Sequence, residues 1–142
     1  MAEMTYTETF PVEAGDFATA GEASSKMKAI LRKLGVAGSL VRRVSVASYE
    51  AEMNLVIHSL GGELIFEVSP ASIRIISKDR GPGIPDVDLA MQEGYSTAPD
   101  SVRMMGFGAG MGLPNMRRFV DDFTIDSQVG VGTTITMTIR LS

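Results

Sequence analysis

A glutamate, an asparagine and a histidine recur four residues apart, at Glu50, Asn54 and His58. On a helix that spacing lines all three along one stripe. A Glu carboxylate can take a proton, and an Asn side chain offers a neutral oxygen suited to Mg²⁺. The neighbours Val46, Ala47, Leu55, Val56 and Ile57 are apolar, so the polar stripe stands out against them. The same stripe is also what the solvated face of an amphipathic helix looks like. His58 is left aside, because a lone His is more often a hydrogen-bonded structural residue.

Three more segments carry chemistry. Asp79-Arg80-Gly81-Pro82-Gly83-Ile84 follows an apolar run. Its glycines let the backbone approach a ligand closely, and the Asp79 carboxylate can accept a hydrogen bond from an amino group such as adenine N6. Taken alone, the segment reads as an ordinary Asp/Gly/Pro turn. Gly106-Phe107-Gly108-Ala109-Gly110-Met111-Gly112-Leu113 alternates four glycines with other residues and leads into a helical pattern. Backbone N–H groups of such a loop can cradle phosphate. Its bulky apolar residues argue against a plain flexible linker. The dinucleotide pattern G-x-G-x-x-G fails here, since its last position falls on Met111 or Leu113, and no Gly-Lys pair exists for a Walker A loop. Gly130-Val131-Gly132-Thr133-Thr134 is by itself a turn, yet Thr133 brings a hydroxyl to the start of the last strand pattern.

These segments need elements to hold them. Residues 4–11 alternate as a strand, with Pro11 and Gly15-Asp16 breaking it. Asp16 is placed to cap a helix over Phe17–Leu34 that Gly35 ends, and Ser39 to cap a second over Leu40–Leu60 that Gly61-Gly62 stops. Glu63–Ser69 and Ser72–Lys78 form a hairpin around Pro70-Ala71. A short helix over Val87–Glu93 and a long aperiodic loop over 94–109 follow, the latter of the kind that is either a functional lid or disordered. A helix over Met111–Val120 and strands over Phe123–Ser127 and Thr133–Leu141 complete the order. Runs of strands, rather than strict alternation with helices, predict an α+β two-layer sandwich: a mixed, mostly antiparallel sheet with helices on one face.

The chain has 142 residues, enough for one domain over 1–142, and 44% of them are hydrophobic. The net charge is −4, with no Lys/Arg cluster of the kind that binds DNA or RNA. There is no cysteine, which excludes disulfides and thiolate metal sites and fits a reducing cytoplasm. No apolar stretch is long enough for a membrane helix, and the N-terminus does not read as a signal peptide. A cytoplasmic protein without nucleic-acid or membrane partners is the expectation.

Each segment is weak alone; their order is not. Glu50-x3-Asn54, Asp79-x-Gly81-x-Gly83, Gly106–Gly112 and Gly132-Thr133 together resemble the asparagine box, the two glycine boxes and the terminal Gly-Thr of the GHKL ATPases. That superfamily includes gyrase, histidine kinases and MutL. The resemblance spans roughly residues 5–141. Gly108-Ala109-Gly110-Met111-Gly112-Leu113-Pro114-Asn115-Met116-Arg117-Arg118 further resembles the small anti-sigma-factor serine/threonine kinases, or switch kinases.

The resemblance implies the Bergerat fold, with ATP between the helix layer and a lid at about 94–109. It implies Glu50 as general base, Asn54 as Mg²⁺ ligand and Asp79 as the acceptor for the adenine amino group. Gly81 and Gly83 would leave room for the base. Gly108, Gly110 and Gly112 would give N–H groups to the phosphates, with Met111 among the nucleotide-contacting residues. Thr133 would touch adenine, and Arg103 would stand near the γ-phosphate. The implied activity is phosphoryl transfer to a serine or threonine of a small STAS-type antagonist protein, with a sigma factor as another partner; the family often forms homodimers. Two alternatives stand beside it: an ATP-dependent anti-sigma binding module, and the catalytic domain of a split histidine kinase.

Overall fold

The structure is a computed structural model; the residues it describes are 6–81, 83–84, 86–92 and 112–141. Their order is β1 (Tyr6–Val12), α1 (Glu22–Lys33), α2 (Gly38–His58), β2 (Gly62–Val68), β3 (Ser72–Asp79), α3 (Val87–Ala90), α4 (Gly112–Arg118), β4 (Asp122–Gln128) and β5 (Gly132–Arg140). The strands make one sheet in the order β1-β2-β3-β5-β4. Every neighbouring pair is antiparallel. The mostly antiparallel expectation is therefore met without a parallel pair among the described residues.

Alternation in the strands builds the core. Leu64 and Phe66 of β2, Ile73 and Ile75 of β3, and Ile135, Met137 and Ile139 of β5 are buried on one face. Against that face lie the helices, whose buried residues include Met27 and Leu31 of α1, Val44, Ala47, Ala51 and Leu55 of α2, and Met116 of α4. The opposite face alternates charged residues with Thr and Ile, as expected of a sheet covered on one side.

Helix ends depart from expectation in instructive ways. Asp16 does not cap α1. Its carboxylate takes hydrogen bonds from the N–H and Oγ1 of Thr19, at 3.3 and 2.5 Å, and closes a local turn instead. The helix starts at Glu22 with no side-chain cap of its own. Its N–H groups at Ala23 and Ser24 donate to Oε2 and Oε1 of Glu52, each at 3.1 Å, so a carboxylate from α2 caps α1 from outside. Leu34 falls outside the helix and is exposed. Gly35 does end α1: at φ 75°, it lets Val36 N–H reach the Leu31 carbonyl and its own N–H reach that of Arg32.

Ser39 likewise does not cap α2, which begins at Gly38 after Ala37. The helix stops at His58, two residues early, because Ser59 turns extended. Ser59 Oγ donates to the Leu55 carbonyl at 2.6 Å and accepts from Gly61 N–H at 2.9 Å. The chain then drops directly into β2.

Candidate functional site

The end of β3, the start of β5 and the end of α2 meet at one corner of the molecule. Leu60 N–H donates to the Arg80 carbonyl at 2.7 Å, and Arg80 N–H donates to the Gly61 carbonyl at 2.9 Å. Gly81 is buried there, its α-carbon facing Ser59 and Leu60. Its N–H reaches the Val131 carbonyl at 3.3 Å.

Asp79, the last residue of β3, sits half-buried in this corner. Its Oδ1 accepts the backbone N–H of Thr133 at 2.9 Å. Burial pushes the Asp79 carboxyl above the usual carboxylate range, and the Thr133 N–H pulls it partly back. Two glycines make the close approach feasible. A Cβ on Gly132 would stand 2.2 Å from the Asp79 carbonyl oxygen, and one on Gly83, which has φ 76°, would stand 2.6 Å from that of Gln128. Side chains at either position would collide with backbone, so glycine at both lets the β3 end, the β4 end and the β5 start pack backbone against backbone beside the carboxylate.

Thr133 is buried, and its Oγ1 shares a hydrogen bond of 2.8 Å with Ser127 Oγ. Ser127 Oγ in turn accepts Ile84 N–H at 2.7 Å, which pins the loop after β3 to β4. Ser127 was missed in the sequence, where it reads as one more polar residue of an edge strand.

Glu50 and Asn54 lie half-buried on α2, about 6 Å apart along its axis. Both precede Ser59 on the same helix, Glu50 by about 13 Å of rise. Asn115 Nδ2 donates to Glu50 Oε2 at 2.8 Å, across from α4. Among the described residues nothing donates to Glu50 Oε1. Asn115 was not among the expected site residues, although it stands in the segment Gly108–Arg118 that carries the finer resemblance.

The expected residues thus fall into two groups. Asp79, Gly81, Gly83 and Thr133 converge on the corner, and Glu50 and Asn54 line the helix leading to it. Gly112 is the first residue of α4. Arg103, Gly108, Gly110 and Met111, with the expected lid, lie outside the described residues. Among the described residues, no three His, Cys, Asp or Glu gather as a metal cage. A lone Asn oxygen beside one carboxylate suits Mg²⁺ that arrives with phosphate ligands rather than a resident ion. No helix among the described residues is long and apolar enough to cross a membrane.

A five-stranded antiparallel sheet under helices, with an Asp-x-Gly-x-Gly corner and a Glu-x3-Asn helix, defines a class. Residues 40–142 match the family described as Histidine kinase-, DNA gyrase B-, and HSP90-like ATPase, and the chain belongs to it. Within that class it is similar to particular kinases and anti-sigma factors. It is 31% identical to the serine/threonine-protein kinase RsbT of Bacillus subtilis over 75% of this chain and 77% of that one. It is 36% identical to an anti-sigma F factor of Bacillus licheniformis, over 66% of this chain and 64%, just under two thirds, of that relative. A crystal structure of the RsbU and RsbW domains of a Mycobacterium tuberculosis protein superposes with a TM-score of 0.65 at 19% identity, covering 96% of this chain and 32% of that one. That likeness supports the fold, and the sequence matches place the chain in the anti-sigma-factor and switch-kinase group.

Proposed function

We propose that this chain is an ATP-dependent serine/threonine protein kinase of the switch-kinase type, acting on a hydroxyl of a small STAS-type antagonist domain. The observation that carries the reading is a pair of carboxylates each held by one hydrogen bond from a distant segment, Asp79 from Thr133 N–H and Glu50 from Asn115. Asp79 has Oδ1 held by Thr133 N–H where the β3 end meets the β5 start. Glu50 has Oε2 held by Asn115, and among the described residues nothing donates to Oε1. Adenine would bind at the corner, giving its amino N–H to Asp79, with Gly81 and Gly83 leaving space for the ring and Thr133 beside it. The phosphates would then run along α2 toward Asn54 and Glu50, reached from the other side by Gly108, Gly110, Met111 and Gly112, with Arg103 near the γ-phosphate.

In the transfer, Glu50 takes the proton of the acceptor Ser or Thr. The freed oxygen bonds to the γ-phosphorus as the bond to the ADP oxygen breaks, and ADP leaves. Asn54 would ligate Mg²⁺, which neutralises phosphate charge when bound. Such chemistry rests on positioning and charge neutralisation, so it needs few protein groups.

The name of the B. licheniformis relative favours a second output, a nucleotide-dependent complex with a sigma factor. One experiment separates the two. The chain is incubated with Mg-ATP carrying a radiolabelled γ-phosphate and with the purified STAS-domain proteins of its own genome. The kinase reading expects acid-stable label on one of them. Tight, ATP-dependent capture of a sigma factor with no label transferred would favour the binding module, and acid-labile label would point to a histidine acceptor.

A further inference from the structure

We infer that Asn115 is the positioning residue for the Glu50 carboxylate, holding Oε2 so that Oε1 faces the acceptor. The inference rests on reading Glu50 as the base. The contact joins α4 to α2 across 65 residues of sequence, at 2.8 Å from Nδ2 to Oε2. The amide orientation follows from its other end, where Arg118 Nη1 donates to Asn115 Oδ1 at 3.4 Å. A cation can only donate, so the oxygen of the amide faces Arg118 and the NH₂ faces Glu50. A glutamate side chain has three rotatable bonds, and one charge-assisted hydrogen bond to Oε2 removes most of that freedom.

A purely structural clasp explains the contact less well. The helix α4 is already docked by buried Leu113 and Met116, and Val120 just beyond it is buried too. Arg43 adds bonds to the Phe119 carbonyl and to Asp121, each at 3.0 Å. Asn is also a poor choice for the middle of a short helix on propensity alone. Asn115 sits one turn after Gly112, the last residue of the glycine segment and the first of α4. One short helix thus connects the segment proposed to hold phosphate with the group proposed to take the proton.

The test compares Asn115→Ala, Asn115→Asp, Asn115→Gln and Glu50→Gln, and the Glu50→Gln/Asn115→Ala double variant. Single-turnover transfer from Mg-ATP to the STAS-domain acceptor, ATP affinity and thermal midpoint are measured for each. Asn115→Ala should slow transfer about tenfold to a hundredfold, the cost of a misplaced reacting group, with ATP affinity and midpoint unchanged. Asn115→Asp should lose at least as much, since it sets a second carboxylate against Oε2. Asn115→Gln, which keeps the NH₂, should recover part of the rate. In the Glu50→Gln background, Asn115→Ala should change nothing further. Independently of activity, the Asn115 side-chain NH₂ signal in a nitrogen–proton correlation spectrum should move in Glu50→Ala; an unmoved signal overturns the contact. Full transfer by Asn115→Ala, with Glu50→Gln inactive, overturns the role of Asn115 alone. A rate loss matched by weaker ATP binding or a lower midpoint makes Asn115 structural and also overturns it. Full transfer by Glu50→Gln removes the base itself, and the inference with it.

Discussion

Two aspartates shift in opposite directions because their surroundings differ. Asp121 accepts the backbone N–H of Arg140 at 2.7 Å and pairs with Arg43 at 3.0 Å. Those contacts, the Arg140 N–H foremost, hold its carboxyl below the usual range. Its contribution to stability is therefore present above the unfolded carboxylate pKa and lost as pH falls through the lowered folded value. Asp79 runs the other way. Burial raises its pKa, so the folded state binds the proton more readily than the unfolded chain does. Its contribution is fully present below the unfolded pKa and is lost as pH rises through the raised folded value. A group that costs stability when ionised fits the binding role proposed for its charge. Asp79→Asn should keep the acceptor for Thr133 N–H but turn an NH₂ toward the ligand. Nucleotide affinity should fall on the order of tenfold to a hundredfold, the worth of one hydrogen bond to a charged group. Thermal stability at neutral pH should be equal or higher. Titration calorimetry and melting of the same samples check both halves, and unchanged affinity would remove Asp79 from the nucleotide site. Asp79, Gly81, Gly83 and Thr133 drew notice through the ordered family resemblance, each segment alone reading as a turn, and the fold does bring them to one corner. Ser127 and Asn115 were not legible in the sequence, because their roles come from partners 43 and 65 residues away.

At the scale of elements, the informative pair is Glu50 and Glu52. Two residues apart on α2, they point to nearly opposite sides of the helix. Glu50 faces α4, and Glu52 is buried against the first turn of α1. In the sequence the two glutamates look alike, and a polar stripe at four-residue spacing drew notice to Glu50 alone. The buried carboxylate of Glu52 satisfies two helix N–H groups and replaces the cap expected of Asp16. Glu52→Ala leaves both N–H groups without that partner and should destabilise the fold by about 2–4 kcal/mol. Urea unfolding should show a lower midpoint at an unchanged slope. A change within a few tenths of a kcal/mol would mean that water caps α1 equally well. The positions of β2, β3 and β5 were read to within a residue or so, because strand alternation is set by burial on one face. Helix starts were read less well, because a cap can come from a distant helix as readily as from the preceding residue.

At the scale of the molecule, the antiparallel sheet serves to bring distant segments of one chain to a common edge. The β3 end and the β5 start are neighbours because β3 pairs with β5, across 54 residues from Asp79 to Thr133. The α2 end joins them through Leu60, Gly61 and Arg80. The order of segments along the sequence, rather than any one of them, therefore carried the family resemblance. The central claim is that this assembly passes the γ-phosphoryl group of ATP to a protein hydroxyl with Glu50 as the base. The most direct measurement is the single-turnover rate of transfer from Mg-ATP to the STAS-domain acceptor, for the parent chain and Glu50→Gln at equal nucleotide saturation. Glu50→Gln should lose at least about a hundredfold in rate, the scale of general base catalysis, with ATP bound as tightly as before. Equal rates would contradict the central claim.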